Sequence, residues 1–196
     1  MRAWVNRWRR RLVNALLFRR VFGERSQGRA LPHTRISPAA CIEHEDRLTL
    51  GDHVFIGPFN FIEASGGVTL EDGVQVTSHV SIVTHSSHRA MRLLREGYAA
   101  WPVDAKQPRP GWIAGPVHIG AWSFIGPHSL IEANTRVGRG SIVCAGSFVR
   151  GEFPEFAILD GRPARVVGDS RHADEKLLLR HPELRAHYDA WAKPPP

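Results

Sequence analysis

Residues 113–149 read IAGPVHIGAWSFIGPHSLIEANTRVGRGSIVCAGSFV. An aliphatic residue stands at every sixth position: Ile113, Ile119, Ile125, Ile131, Val137, Val143 and Val149. The residue after it is usually small or acidic, as in Gly120, Gly126, Glu132 and Gly138. Two places before it stands a small or β-branched residue: Val117, Ser123, Ser129, Thr135, Ser141, Ser147. A period of six fits neither the α-helix nor the heptad. It fits a strand–turn unit that points one aliphatic side chain inward and turns a tight corner on a small residue. Stacked units bury one another, and three make one triangular coil of roughly 18 residues.

The same period runs earlier, with breaks in phase. Ile36, Ile42 and Leu48 form one set, Leu50, Ile56 and Ile62 a second, and Leu70, Val76 and Ile82 a third. The last shift spans Gly66 and Gly67, and each shift reads as a short bulge at a corner. The repeats predict an all-β parallel β-helix of about five coils. Between Ile82 and Ile113 they stop, and a loop over 83–112 carries Tyr98, Trp101, Trp112 and three arginines between 89 and 95. Its apolar content predicts an ordered excursion.

The composition is 42% hydrophobic and 23% charged, which excludes a disordered chain, a coiled coil and a collagen-like repeat. Two cysteines, Cys41 and Cys144, exclude a disulfide framework or a four-thiolate zinc site and suit a reducing compartment. The formal charge of +7 is local. Arg2, Arg7, Arg9, Arg10, Arg11, Arg19 and Arg20 precede the first acidic residue, Glu24, and the remaining charges cancel. A neutral body with a basic leading segment is not the pattern of a nucleic-acid binder.

That segment has too short an apolar run for a signal peptide or a spanning helix, so the chain is expected in the cytoplasm. On a helical wheel Trp4, Val5, Trp8, Leu12, Ala15, Leu16 and Phe22 share one face, with most arginines elsewhere. Such a helix either lies on the inner face of the cytoplasmic membrane or caps the open end of the β-helix. The organisation read from these patterns is a basic amphipathic helix and linker over 1–30, a repeat domain over 31–168 and a helical tail over 169–196. The tail reads as helical pieces at 172–181 and 183–192, broken at Pro182, with a frayed proline run at 194–196.

Two further segments carry chemistry. THSSHRAM at 84–91 holds His85 and His88, either of which can take a proton near neutral pH. Residues 144–149 read CAGSFV and 161–165 read GRPAR. Together with the repeats, these segments resemble the hexapeptide-repeat acyltransferases, in particular the acetyl-CoA-dependent O-acetyltransferases that act on sugars, on lipopolysaccharide and on streptogramins. The resemblance covers about residues 36–168. It implies a left-handed helix, against the usual right-handed crossover. It implies a homotrimer, acetyl-CoA as co-substrate, no metal, and a sugar or glycolipid hydroxyl as acceptor, with an antibiotic as the alternative. The Asn-His-Arg-Met run of one branch places the base on His88, which is the expectation taken here; the Thr-His-Pro of another points to His85 as the alternative. Ala145, Gly146 and Ser147 fall on the pantetheine groove and Arg150 and Arg165 on the CoA phosphates, where guanidinium forks suit the geometry; Arg162, standing where the family has Asn, is expected to add a phosphate contact. One departure is Ser123-Phe124-Ile125-Gly126 where the family has Val-Trp-Ile-Gly, with Trp122 displaced. Two other expectations remain. One is a carbonic-anhydrase-like metal site built from His79, His118 and His128; the other is a non-enzymatic β-helix adaptor.

Overall fold

Hexapeptides wind this chain into a triangular prism. The structure is a computed structural model that describes residues 2–19, 21–102 and 107–193. Arg20, residues 103–106 of the long loop and the proline run 194–196, expected as a frayed end, lie outside these. Face A stacks Arg35–Ile36, Phe55–Ile56, Gln75–Val76, Phe124–Ile125 and Ile142–Val143. Face B stacks Cys41–Glu43, Phe61–Glu63, Ser81–Val83, Leu130–Ile131 and Phe148–Val149. Face C stacks Leu48–Leu50, Val68–Leu70, Val117–Ile119, Thr135–Val137 and Glu152–Phe153. All these pairs are parallel, and the solenoid is the left-handed β-helix. Five coils are complete, and Ala157–Gly161 adds a sixth level to face A before Ala164–Asp169 returns antiparallel along it.

The core is a set of columns. Ile56, Val76, Ile125, Val143 and Leu159 fill face A, and Ile62, Ile82, Ile131 and Val149 fill face B, all fully buried. The small and hydroxyl positions of the repeat have separate jobs. Ser123 and Ser129 point inward and donate to the carbonyls of Gly138 and Cys144 in the next coil, both at 3.1 Å. Gly57 and Gly126 let the coils approach: a Cβ would lie 2.3 Å from Thr77 O and 2.7 Å from Ala145 N, respectively.

The breaks in phase all fall on the corner between faces B and C. Ile62 lies opposite Ile82, and Val68 opposite Val117, so the added residues sit between them at Ala64–Gly67. In the first coil they form a short 3-10 turn at Glu45–Arg47, before Leu48 and not between Leu48 and Leu50 as the sequence sets imply. In the third coil the same corner opens into the long loop. That loop is ordered where described: it forms Ala90–Leu94 (α2), a 3-10 turn over Arg95–Tyr98 and a two-stranded pair of His85–Ser86 with Ile113–Ala114. Ile113 therefore belongs to the loop and not to the columns, and the coil resumes at Val117.

The ends are covered by non-repeat elements. Arg2–Leu17 forms a helix (α1) with no buried residue, so it does not cap the prism in this chain. A hairpin of Glu24–Ser26 with Arg29–Leu31 does so instead, driving Leu31 into the core and accepting Leu50 N on Ser26 Oγ at 2.9 Å. Arg171–Leu178 (α3) and Arg185–Ala192 (α4), joined through Pro182–Leu184, fold back onto the corner between faces C and A. There Trp191 meets Trp122 and Phe156.

Gly126→Ala places a methyl against backbone atoms of the next coil, which no rotamer change relieves. We expect a loss of about 1–3 kcal/mol in urea unfolding, the range for overpacked sites.

Candidate active site

The corner between faces B and C gathers the titratable loop residues. His85, Ser86 and His88 face Glu132, Ala133, Asn134 and Arg150 of the following coils across a cleft of about 190 Å³. Glu63, at the end of its face-B strand, lies beneath His85. Its carboxylate is buried and fully engaged. Ser65 N donates to Oε1 at 2.8 Å, while Thr84 N at 3.1 Å and Thr84 Oγ1 at 2.7 Å donate to Oε2. His85 Nδ1 lies 2.8 Å from that same Oε2. Burial works to raise the Glu63 pKa, but the hydrogen bonds from Ser65 and Thr84 outweigh it and hold the carboxyl down to about 2.

An ionised carboxylate accepts only, so the proton between the two groups belongs to Nδ1 of His85. An imidazole with that single proton on Nδ1 presents an unprotonated Nε2. The ring is fixed from above as well: Trp112 stacks on it at 4.6 Å between centroids and 14° between planes. Arg109 lies between Trp112 and Tyr98, its guanidinium carbon 5.3 Å and 4.4 Å from the two ring centres. Tyr98, Arg109, Trp112, His85 and Glu63 thus form one column joining the loop to the prism. His88 is held differently. It is exposed, and its Nδ1 contacts Ser86 Oγ at 2.7 Å, with no carboxylate bonded to it among the described residues.

The residues assigned to the coenzyme separate into two groups. Ala145 is exposed on the corner between faces A and B, and a Cβ on its neighbour Gly146 would meet no atom within 4 Å. Arg162 Nε donates to Gly146 O at 2.6 Å, and Arg165 is exposed on the return strand. This open strip fits an extended chain that ends in phosphates. Ser147 departs from that assignment: it is buried, pointing into the prism, and its Oγ has no hydrogen-bond partner. Arg150 departs too, since it lines the histidine cleft on the B–C corner, 3.8 Å from Glu132. Within one chain, then, His85 and the Ala145–Gly146 strip stand at opposite edges of face B.

The three histidines of the metal alternative do not converge. His79 and His128 stack at 4.9 Å on the A–B corner, while His118 bonds Glu71 at 2.7 Å on face C. Among the described residues, donor atoms of His33, Asp52 and His53 lie within 4.8 Å of one another on the C–A corner, away from the cleft. Trp122 also sits on that corner, tilted against His53, and does not reach the cleft. Glu63 was not singled out by the sequence reading. Its signal was the recurrence of glutamate after the inward isoleucine, at Glu43, Glu63 and Glu132.

Comparison with known proteins gives a consistent fold. No family model matches the chain. A protein of Mycobacterium tuberculosis named as a probable acetyltransferase is 29% identical over 143 residues, 73% of this chain and 44% of its own length. The chain therefore spans under half of that relative. A hexapeptide-repeat acetyltransferase of Vibrio cholerae superposes with a TM-score of 0.60 at 23% identity, covering 70% of each chain, and a further structure of it holds acetyl-CoA. A galactoside acetyltransferase solved with coenzyme A gives a TM-score of 0.57 at 22% identity, over 73% of this chain and 65% of that one. The chain shares the fold of the hexapeptide-repeat acetyltransferases.

The depressed Glu63 carboxyl makes a signed prediction. Its stabilising contribution is complete above the ordinary glutamate value of 4.5 and is lost as the pH falls toward about 2. Urea unfolding of Glu63→Gln should show a flatter loss of stability across that window than the parent, together with lower stability at neutral pH. Parallel curves for the two proteins would mean that Glu63 is not held ionised by this network.

Proposed function

We propose that this chain transfers an acetyl group from acetyl-CoA to an acceptor hydroxyl, with His85 as general base. The observation that carries the reading is the buried Glu63 carboxylate on Nδ1 of a histidine that lines a cleft. In the step proposed, Nε2 takes the acceptor proton while the acceptor oxygen bonds to the thioester carbon. The tetrahedral intermediate then expels the thiolate, which takes the proton back from the imidazolium, leaving an ester and free CoA. The imidazolium faces Glu63, which stabilises it without itself being protonated. No covalent intermediate on sulfur is needed. Burial pushes the Cys144 thiol above its ordinary pKa, away from the reactive thiolate.

His88, at the mouth of the same cleft, is the competing base, and Glu63 is what favours His85 over it. We expect His85→Ala to lower kcat by about 10²–10⁴-fold with acetyl-CoA affinity nearly unchanged, and His88→Ala to retain most activity. CoA release measured with both variants decides. An active His85→Ala with a dead His88→Ala moves the base to His88, and two active variants remove the site.

The acceptor we favour is a sugar hydroxyl of a surface-polysaccharide or lipopolysaccharide precursor. The galactoside acceptor named for one structural neighbour supports it. The active unit we favour is a homotrimer. The histidine and the coenzyme strip occupy different corners, and a neighbouring copy that presents its A–B corner to this B–C corner unites them. Co-expression of His85→Ala with Ala145→Trp tests this. Each variant alone should be inactive, and the mixture should recover activity because one interface then carries both intact halves. A mixture without activity, or a monomer that is active in sedimentation, overturns it.

A further inference from the structure

We infer that α1 is an interfacial helix that lays this protein on an anionic lipid surface. The inference is independent of the acetyl-transfer reading.

The structure leaves α1 without a partner. No residue of it is buried, and Trp4, Trp8, Leu12 and Leu16 are between 52% and 67% exposed. These four, with Val5 and Ala15, fall on one third of the helical circumference at 100° per residue. Arg11 borders that arc on one side, and Arg9 and Arg2 border it on the other. Arg11 already lies against the Trp8 ring, at 5.5 Å from its centre. Arginines at the two margins of an apolar face can sink their aliphatic stems with that face and keep their heads at phosphate level. The two indoles, edge to face at 6.1 Å, sit on the arc where headgroups and acyl chains meet. At 16 residues the helix is about 24 Å long. No described helix is long and apolar enough to cross a membrane, so the fit is to the surface.

Charge selects the occupant. Arg2, Arg7, Arg9, Arg10 and Arg11 all lie within α1, and no acidic residue precedes Glu24. Packing this face against the same face of another copy would set like charges along both margins of the contact. A surface of anionic headgroups neutralises them instead. The body does not compete for the face. The chain leaves α1 through Phe18, which packs edge to face on Phe59, and the N-terminal end of the prism is already filled by Leu31.

The test is flotation of the full-length protein with vesicles of phosphatidylcholine plus phosphatidylglycerol, against phosphatidylcholine alone. Expected is binding to the anionic vesicles at low salt, release at high salt and a blue shift of tryptophan emission. Arg9→Gln, Arg10→Gln and Arg11→Gln together should weaken binding about a hundredfold. Trp4→Ser with Trp8→Ser should weaken it at least tenfold and abolish the shift. Because α1 buries nothing, both variants should unfold at the parental urea midpoint. Any of four results overturns the inference: no flotation of the parent, equal binding of the tryptophan variant, a smaller oligomer for that variant in sedimentation, or retention on nucleic acid without retention on vesicles.

Discussion

Every level of this prism rests on the one beside it. A single coil contributes one or two inward aliphatics per strand, too few to form a core alone. The buried columns of isoleucine, valine and leucine exist only because the coils repeat at the spacing of a parallel ladder. That spacing explains the rest of the repeat. Glycine follows the inward residue where the next coil's backbone comes within van der Waals contact, and serine stands where its hydroxyl can reach the next coil's carbonyl. It also explains why the insertions collect at one edge. The B–C corner can widen without moving the columns, and it does so in the first two coils before opening into the loop of the third.

The cleft inherits its precision from that rigidity. Glu63 is anchored on a face-B strand, and the backbone donors that ionise it come from the corner that follows its own strand and the one a coil further on. The other partner is the loop, and it is held by rings. His85, Trp112, Arg109 and Tyr98 stack in sequence, so the loop's position and the imidazole's plane are fixed together. Among the described residues Arg109 Nε is buried without a hydrogen-bond partner, and its guanidinium lies against the two aromatics.

The fold was legible because a period of six admits few architectures, and the leading helix was legible from its wheel. What escaped depended on contacts distant in sequence. Glu63 meets His85 across a corner, which no local pattern encodes. Ile113 keeps the spacing yet pairs with Ser86, because strand pairing and not periodicity decides membership of a column. Ser147 occupies its expected position on the A–B corner, but the alternation of a strand sends its side chain inward. The hairpin at Glu24–Leu31 escaped because its strands are three residues each, too short to show alternation.

The return strand Ala164–Asp169 has a consequence for assembly. A parallel solenoid is an open template: its last rung offers unpaired backbone groups with the polarity needed to accept another first rung. Here one of the three faces ends on a strand of reversed direction, and α3 and α4 lie beside it. A second molecule stacked head to tail would find its direction matched on two faces and opposed on the third. The chain therefore carries its own terminator against head-to-tail fibre growth.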